Sequence, residues 1–99
     1  MNVSGRLDRY VRRNLSGELS GDLILSLEQF DEAQLDGQDP ERVGAAIVIL
    51  IHHGTTVDAA LGLAQRDWRD LLMAAGLGGK NWRETLAAFL ESGESAIPG

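Results

Sequence analysis

The side chains whose spacing is most specific for chemistry are four arginines near the start of the chain. Arg6, Arg9 and Arg13 recur at intervals of three and four residues, so a helix places them on one line, with Arg12 beside them. A guanidinium group is planar, always charged and able to bind a carboxylate or phosphate through two parallel hydrogen bonds. The spacing therefore predicts a basic helix face. This face is either solvated, or docked on the chain's own acids in residues 28–41, or used by an anionic partner.

The formal charge of the chain, −6 at pH 7, is unevenly distributed. Residues 1–15 carry four arginines and one aspartate, a balance of +3, so the remaining residues carry −9. Residues 28–41 hold six acids and no base. A nucleic-acid-binding domain is expected to be basic, so this balance disfavours nucleic acid as the partner. A nucleic-acid-associated regulator that uses the arginine face is the first alternative, and an acidic segment that mimics phosphates for a basic partner is another.

Patterns that would support catalysis, metal binding or nucleotide binding all fail on spacing. His52 and His53 are adjacent, so on a helix they point about 100° apart and do not chelate one ion. Residues 36–41 lack the ligand alternation of a calcium loop, and residues 76–81 place the Gly-Lys pair too close to the first glycine for a phosphate-binding loop. Without cysteine or a separate histidine, no pair of nucleophile and base can be proposed. We therefore predict no catalytic residue, no metal site and no cofactor, and keep an enzyme or small-ligand binder as the least favoured alternative.

The longest apolar run, residues 43–51, indicates the element around which the others pack. Asp39 is a good N-cap, Pro40 suits the first helical position, and Gly54 suits the residue after the helix. The run is therefore predicted to lie in a helix over about residues 40–53 that is apolar on nearly every side, as buried helices are. The run is too short for a membrane span, which needs about 20 residues.

The rest of the chain is predicted to form short helices and no sheet. Two helix starts are marked by serine, since Ser4 and Ser20 are suitable N-cap residues. Residues 67–72 are similar to residues 81–86, because each segment has a cap residue, then a tryptophan, and an acid three places after the cap. A helix is therefore expected to begin at each tryptophan. The alternative is one continuous helix over residues 56–75. The expected helices cover residues 4–15, 21–34 and 40–53, a segment beginning near residue 56, and residues 68–75 and 82–92.

These elements predict an all-α fold, a compact orthogonal bundle of five or six short helices around the helix at residues 40–53. Short helices joined by short loops favour irregular crossings over long parallel pairs. A single domain is expected over residues 1–93, followed by a flexible tail over residues 94–99.

A few large apolar side chains are predicted to lie away from the centre of the bundle. Leu25, Leu63 and Met73 fall outside the core-facing stripes of their helices, and together they would form a patch suited to self-association. Trp68 and Trp82 fall on the core-facing stripes, where tryptophan is usually half-buried.

The sequence therefore predicts a non-enzymatic protein-interaction or regulatory module. Its partner is expected to be a protein, with a second copy in a homodimer as one option, and not a membrane. The absence of cysteine suits a reducing compartment, and the first residues lack the apolar core of a secretory signal, so a soluble cytoplasmic protein is expected. The predicted interaction surface consists of Arg6, Arg9, Arg12, Arg13, Leu25, Leu63 and Met73.

Overall fold

The computed structural model describes residues 1–92, and within them the chain is all-α, as predicted. The predicted tail over residues 94–99 lies outside the described residues. The helices are α1 (Gly5–Asn14), α2 (Gly17–Gln29), a short 3-10 helix (Glu32–Leu35), α3 (Pro40–His52), α4 (Val57–Arg66), α5 (Trp68–Ala74) and α6 (Trp82–Ser92).

Side-chain caps set most of the helix starts, because the first N–H groups of a helix have no partner within it. Ser4, Asp39 and Thr56 each accept a hydrogen bond from a main-chain N–H two or three residues later. Asp67 accepts from two such N–H groups, at 3.1 and 3.2 Å. This cap divides α4 from α5, so residues 56–75 form two helices.

The predicted start of α2 at residue 21, with Ser20 as its cap, is wrong. The helix begins at Gly17, and the Ser16 hydroxyl accepts a hydrogen bond from the N–H of Leu19 at 3.4 Å. Ser20 lies inside the helix, where its buried hydroxyl donates to the Gly17 carbonyl at 3.0 Å. Both serines are suitable caps in isolation, but Ser20 is buried in the folded chain, and Ser16 is the exposed residue that caps the helix.

The predicted end of α2 near residue 34 is also wrong, because the helix stops at Gln29. Phe30 adopts an extended conformation and is buried, and a separate 3-10 helix follows. The ammonium group of Met1 donates to the carbonyls of Leu27, Glu28 and Phe30, at 3.2, 2.7 and 2.6 Å. A positive charge on the last carbonyls stabilises a helix C-terminus, so the start of the chain fixes the end of α2.

Helix α3 is the centre of the bundle, as its apolar run predicted. Every residue from Val43 to Ile51 is buried, and α3 contacts α1, α4, α5 and α6. Helix α1 crosses it closely at Gly44, where an added Cβ would lie 2.9 Å from the Cδ2 atom of Leu7. The missing side chain thus lets α1 lie against α3, which turns the arginine-bearing side of α1 outward.

Candidate functional site

The arginines of α1 lie on its exposed side, opposite the buried Leu7, Tyr10 and Val11. Between α1 and α6 the surface forms a groove of about 540 Å³. We call this the basic groove, and its lining residues are Arg6, Arg9, Tyr10, Arg13, Asn14, Leu90 and Glu91. Three of the four predicted arginines therefore share one concave surface.

A buried aromatic contact holds the two walls of the basic groove together. The ring centroids of Tyr10 in α1 and Phe89 in α6 lie 4.4 Å apart, with the rings tilted by 40°. Both side chains are buried, and burial raises the pKa of the Tyr10 hydroxyl. Leu90 and Glu91 enter the groove only because α6 packs beside α1, so the pattern of α1 alone gave no signal for them.

Two of the arginines are held by acids of the same molecule. Arg6 forms a two-pronged pair with Glu41 at the start of α3, through contacts of 2.9 Å (Nε to Oε2) and 2.6 Å (Nη2 to Oε1). Arg12 pairs with Asp8 one turn earlier in α1, at 2.8 Å, and does not line the groove. For Arg6, the predicted option of docking on the chain's own acids in residues 28–41 is confirmed.

Arg9 and Arg13 are the other two arginines that line the groove. Both are exposed, and among residues 1–92 neither lies within ion-pair distance of a carboxylate. Glu91, on the opposite wall, contributes to a raised pKa of Arg6, whose main cause is the hydrogen bond to Glu41. The basic groove thus offers two guanidinium groups that have no ion pair among residues 1–92, beside the half-buried Leu90.

A second surface gathers acidic side chains where α2 meets the 3-10 helix. Glu28, Asp31 and Glu32 are exposed there, and we call these three residues the acidic corner. With Met1, Asn2, Val3 and Phe30 they line a depression of about 610 Å³. Of the other three acids in residues 28–41, Glu41 pairs with Arg6, Asp39 caps α3, and Asp36 follows the 3-10 helix in a left-handed conformation. The predicted acidic segment is therefore divided, and three of its six acids stay together.

The three predicted surface apolar side chains differ in exposure. Leu25 on α2 and Met73 on α5 are 54% and 70% exposed. Leu63 on α4 is half-buried and packs against the core. An apolar patch therefore has two exposed members on separate helices, and the basic groove is the stronger candidate site. Trp68 and Trp82 are half-buried against the core, as predicted.

The pair between Arg6 and Glu41 is expected to make stability depend on pH below the usual carboxyl range. The hydrogen bond from Arg6 lowers the pKa of Glu41 below its usual value of 4.5, and the Ser4 hydroxyl adds to this. A lowered folded-state pKa means that the stabilisation is complete above pH 4.5 and is lost as pH falls through the folded-state value. We expect Arg6→Met to lower the free energy of unfolding by about 1 kcal/mol near neutral pH. This is the upper end for an exposed ion pair, and it is expected because the pair has two hydrogen bonds.

Urea unfolding between neutral and acidic pH would measure this effect. The difference in unfolding free energy between Arg6→Met and the unchanged chain should become smaller once Glu41 is protonated. Arg12→Met removes the same charge from α1 without touching Glu41, and it serves as the control. A deficit in Arg6→Met that is the same at every pH would contradict the expectation.

Three further observations bear on the kind of site present. Among residues 1–92, no group of three or more histidine, aspartate or glutamate side chains is placed to hold a metal ion. In the same part of the chain, no helix is both long and apolar enough to cross a membrane. Comparison of the chain with protein-family models, with curated proteins and with solved structures finds no match.

Proposed function

We propose that the chain is a non-enzymatic, cytoplasmic protein-interaction module that binds an acidic segment of a partner protein in the basic groove. The observation that carries this proposal is the exposure of Arg9 and Arg13 in a concave surface, with no carboxylate partner among residues 1–92. Guanidinium groups with free donors are suited to carboxylates, which they bind through paired hydrogen bonds.

The dimensions of the groove favour a short segment of a protein as the ligand. A volume of about 540 Å³ accommodates a few side chains. The half-buried Leu90 offers apolar contact beside the charges. An extended acidic peptide could therefore place carboxylates on Arg9 and Arg13 and an apolar side chain between them.

The surface charge favours an acidic protein over a nucleic acid. A nucleic acid continues in both directions beyond any short contact, and it would meet a surface whose residues after position 15 carry −9. Glu91 in the groove wall and Glu41 beside Arg6 would also repel a run of phosphates. A peptide needs only the groove itself.

The lining also favours binding over catalysis. Among the lining residues that the structure describes, Glu91 is the only carboxylate, and the buried Tyr10 has the only hydroxyl. A second carboxylate for acid–base chemistry and a base beside a nucleophile are both missing from this set.

The binding experiment uses a fluorescein-labelled oligoglutamate peptide and follows its anisotropy at low salt. Each exposed ion pair contributes little, but reversing two charges replaces attraction with repulsion, so Arg9→Glu/Arg13→Glu is expected to weaken binding about tenfold or more. Arg66→Glu/Lys80→Glu makes the same change in net charge at exposed positions outside the groove. This matched variant should bind nearly as well as the unchanged chain.

Two outcomes would contradict the proposed function. Equal weakening in the two variants would show that net charge, and not the groove, governs binding. Tighter binding of a single-stranded oligodeoxynucleotide than of oligoglutamate, with a steep loss as salt rises, would favour the nucleic-acid alternative.

A further inference from the structure

We infer that the partner of the basic groove is a second copy of this chain, whose acidic corner supplies the carboxylates. This inference rests on the proposed function of the groove and names its ligand. Arg9 and Arg13 of one copy would contact Glu28, Asp31 and Glu32 of the next. All five side chains are exposed in the structure.

The two surfaces are separate, so one molecule can use both at the same time. The basic groove is formed by α1 and α6, whereas the acidic corner lies where α2 meets the 3-10 helix. Within residues 1–92, their linings have no residue in common. A contact between two different surfaces is heterologous, so it builds open head-to-tail chains unless the rotation between copies closes a ring.

Charge complementarity favours this pairing at physiological salt. Two copies of net charge −6 repel each other at long range, but the Debye length at that salt is about 8 Å, so the repulsion is largely screened. Contacts between guanidinium and carboxylate groups form at shorter distances and are screened less. The local pairing of opposite charges can then outweigh the like net charges.

The structure presents both surfaces on fixed elements, which lowers the entropy lost on association. Arg9 and Arg13 project from α1, which is held against α3 at Gly44 and against α6 through Tyr10. The acidic corner is held by the Met1 ammonium, which binds the Glu28 and Phe30 carbonyls. Its own side chains add to this, since Asp31 accepts from the N–H of Ala33 at 3.0 Å and Glu32 from that of Asn2 at 3.2 Å.

The test uses two complementary variants of the full chain. Arg9→Glu/Arg13→Glu disables the basic groove and keeps the acidic corner. Glu28→Lys/Glu32→Gln disables the acidic corner, while the glutamine keeps an acceptor for the Asn2 N–H. Glu18→Lys/Asp22→Asn makes the same change in charge at exposed positions of α2 outside the corner, and it is the matched control.

Sedimentation velocity over a range of protein concentrations measures the association. The unchanged chain and the control should associate in a concentration-dependent series, and each disabled variant alone should remain monomeric. An equimolar mixture of the two disabled variants should form a one-to-one dimer and nothing larger, because only one intact surface of each kind remains. Raising the salt from about 0.1 M to about 1 M, where the Debye length falls from about 10 to 3 Å, should weaken association about tenfold or more.

Three results would overturn the inference. These are an unchanged chain that stays monomeric throughout, disabled variants that associate like the unchanged chain, and a dimer that is insensitive to salt. The oligoglutamate experiment separates this failure from failure of the proposed function. If the chain stays monomeric but the peptide still binds through Arg9 and Arg13, the groove serves a different acidic protein.

Discussion

Replacing Phe89 by alanine is expected to lower the free energy of unfolding by about 3–5 kcal/mol, the range for removing a buried aromatic ring. Phe89 is fully buried, and its ring centroid lies 4.4 Å from that of Tyr10. The substitution would leave a cavity between α1 and α6, which collapses only if the two helices move together. Urea unfolding followed by circular dichroism measures the loss.

Leu90→Ala is the control for this substitution, because Leu90 is the next residue on α6 and is only half-buried. Its truncation removes less apolar surface from the interior, so we expect a loss of about 1 kcal/mol. Phe89→Leu fills most of the cavity and should keep the chain folded while removing the ring contact with Tyr10. Equal losses for Phe89→Ala and Leu90→Ala would show that the aromatic contact does not join the two helices.

The link between the core and the groove makes a further measurement informative. Tyr10 lines the groove and packs on Phe89, so Phe89→Leu should shift the groove walls and weaken oligoglutamate binding even though it changes no charge. The effect should be smaller than that of Arg9→Glu/Arg13→Glu, because both guanidinium groups are still present. The basic groove is in this sense a consequence of how α6 packs on α1.

Those features of the fold that depend on neighbours in the sequence were predictable. Asp39 followed by Pro40 marks the start of α3, and the run after it is apolar on every side, so its burial follows from the pattern alone. Asp67 caps α5 through its own side chain, which the similarity between residues 67–72 and 81–86 indicated. Each signal lies within about one helical turn of the residue it positions.

The errors at α2 have a different origin, because distant residues decide both of its ends. Ser16 and Ser20 are equally good caps as isolated residues, and the choice between them depends on Ser20 being buried in the folded chain. The end at Gln29 depends on Phe30 entering the core and on the Met1 ammonium binding three nearby carbonyls. Neither condition can be read from α2 alone.

The candidate site, like the fold, could be predicted from the sequence only in part. The spacing of Arg6, Arg9 and Arg13 predicted a basic face, because one helix suffices to align them. The opposite wall of the groove, with Glu91, depends on where α6 packs against α1. The ion pair between Arg6 and Glu41 depends on where α3 packs against α1. A charge pattern on one helix thus identifies a surface, but tertiary packing decides which of its charges remain available.

Arg42 shows how strongly a charged residue outside the groove is expected to affect the fold. Its guanidinium donates two hydrogen bonds to the Leu77 carbonyl, at 2.9 and 2.7 Å, and so ties α3 to the loop before α6. It also lies over the Trp82 ring, 4.7 Å from the centroid. Burial lowers the pKa of Arg42, with a further contribution from Arg83, so the charge is kept in place against a desolvation penalty.

Arg42→Met is therefore expected to lower the free energy of unfolding by about 2–3 kcal/mol. It removes two charge-assisted hydrogen bonds and leaves the Leu77 carbonyl without these donors. Arg83→Met is the matched control. Arg83 also lies over the Trp82 ring, at 4.4 Å, but it is exposed and its contact is of the kind that contributes about 0.5–1 kcal/mol. Urea unfolding of the two variants separates the two contributions. Equal losses of unfolding free energy would assign the effect to the contact with Trp82. A larger loss in Arg42→Met would show that the bonds to Leu77 hold the loop before α6. That loop sets the start of α6, which forms the second wall of the basic groove.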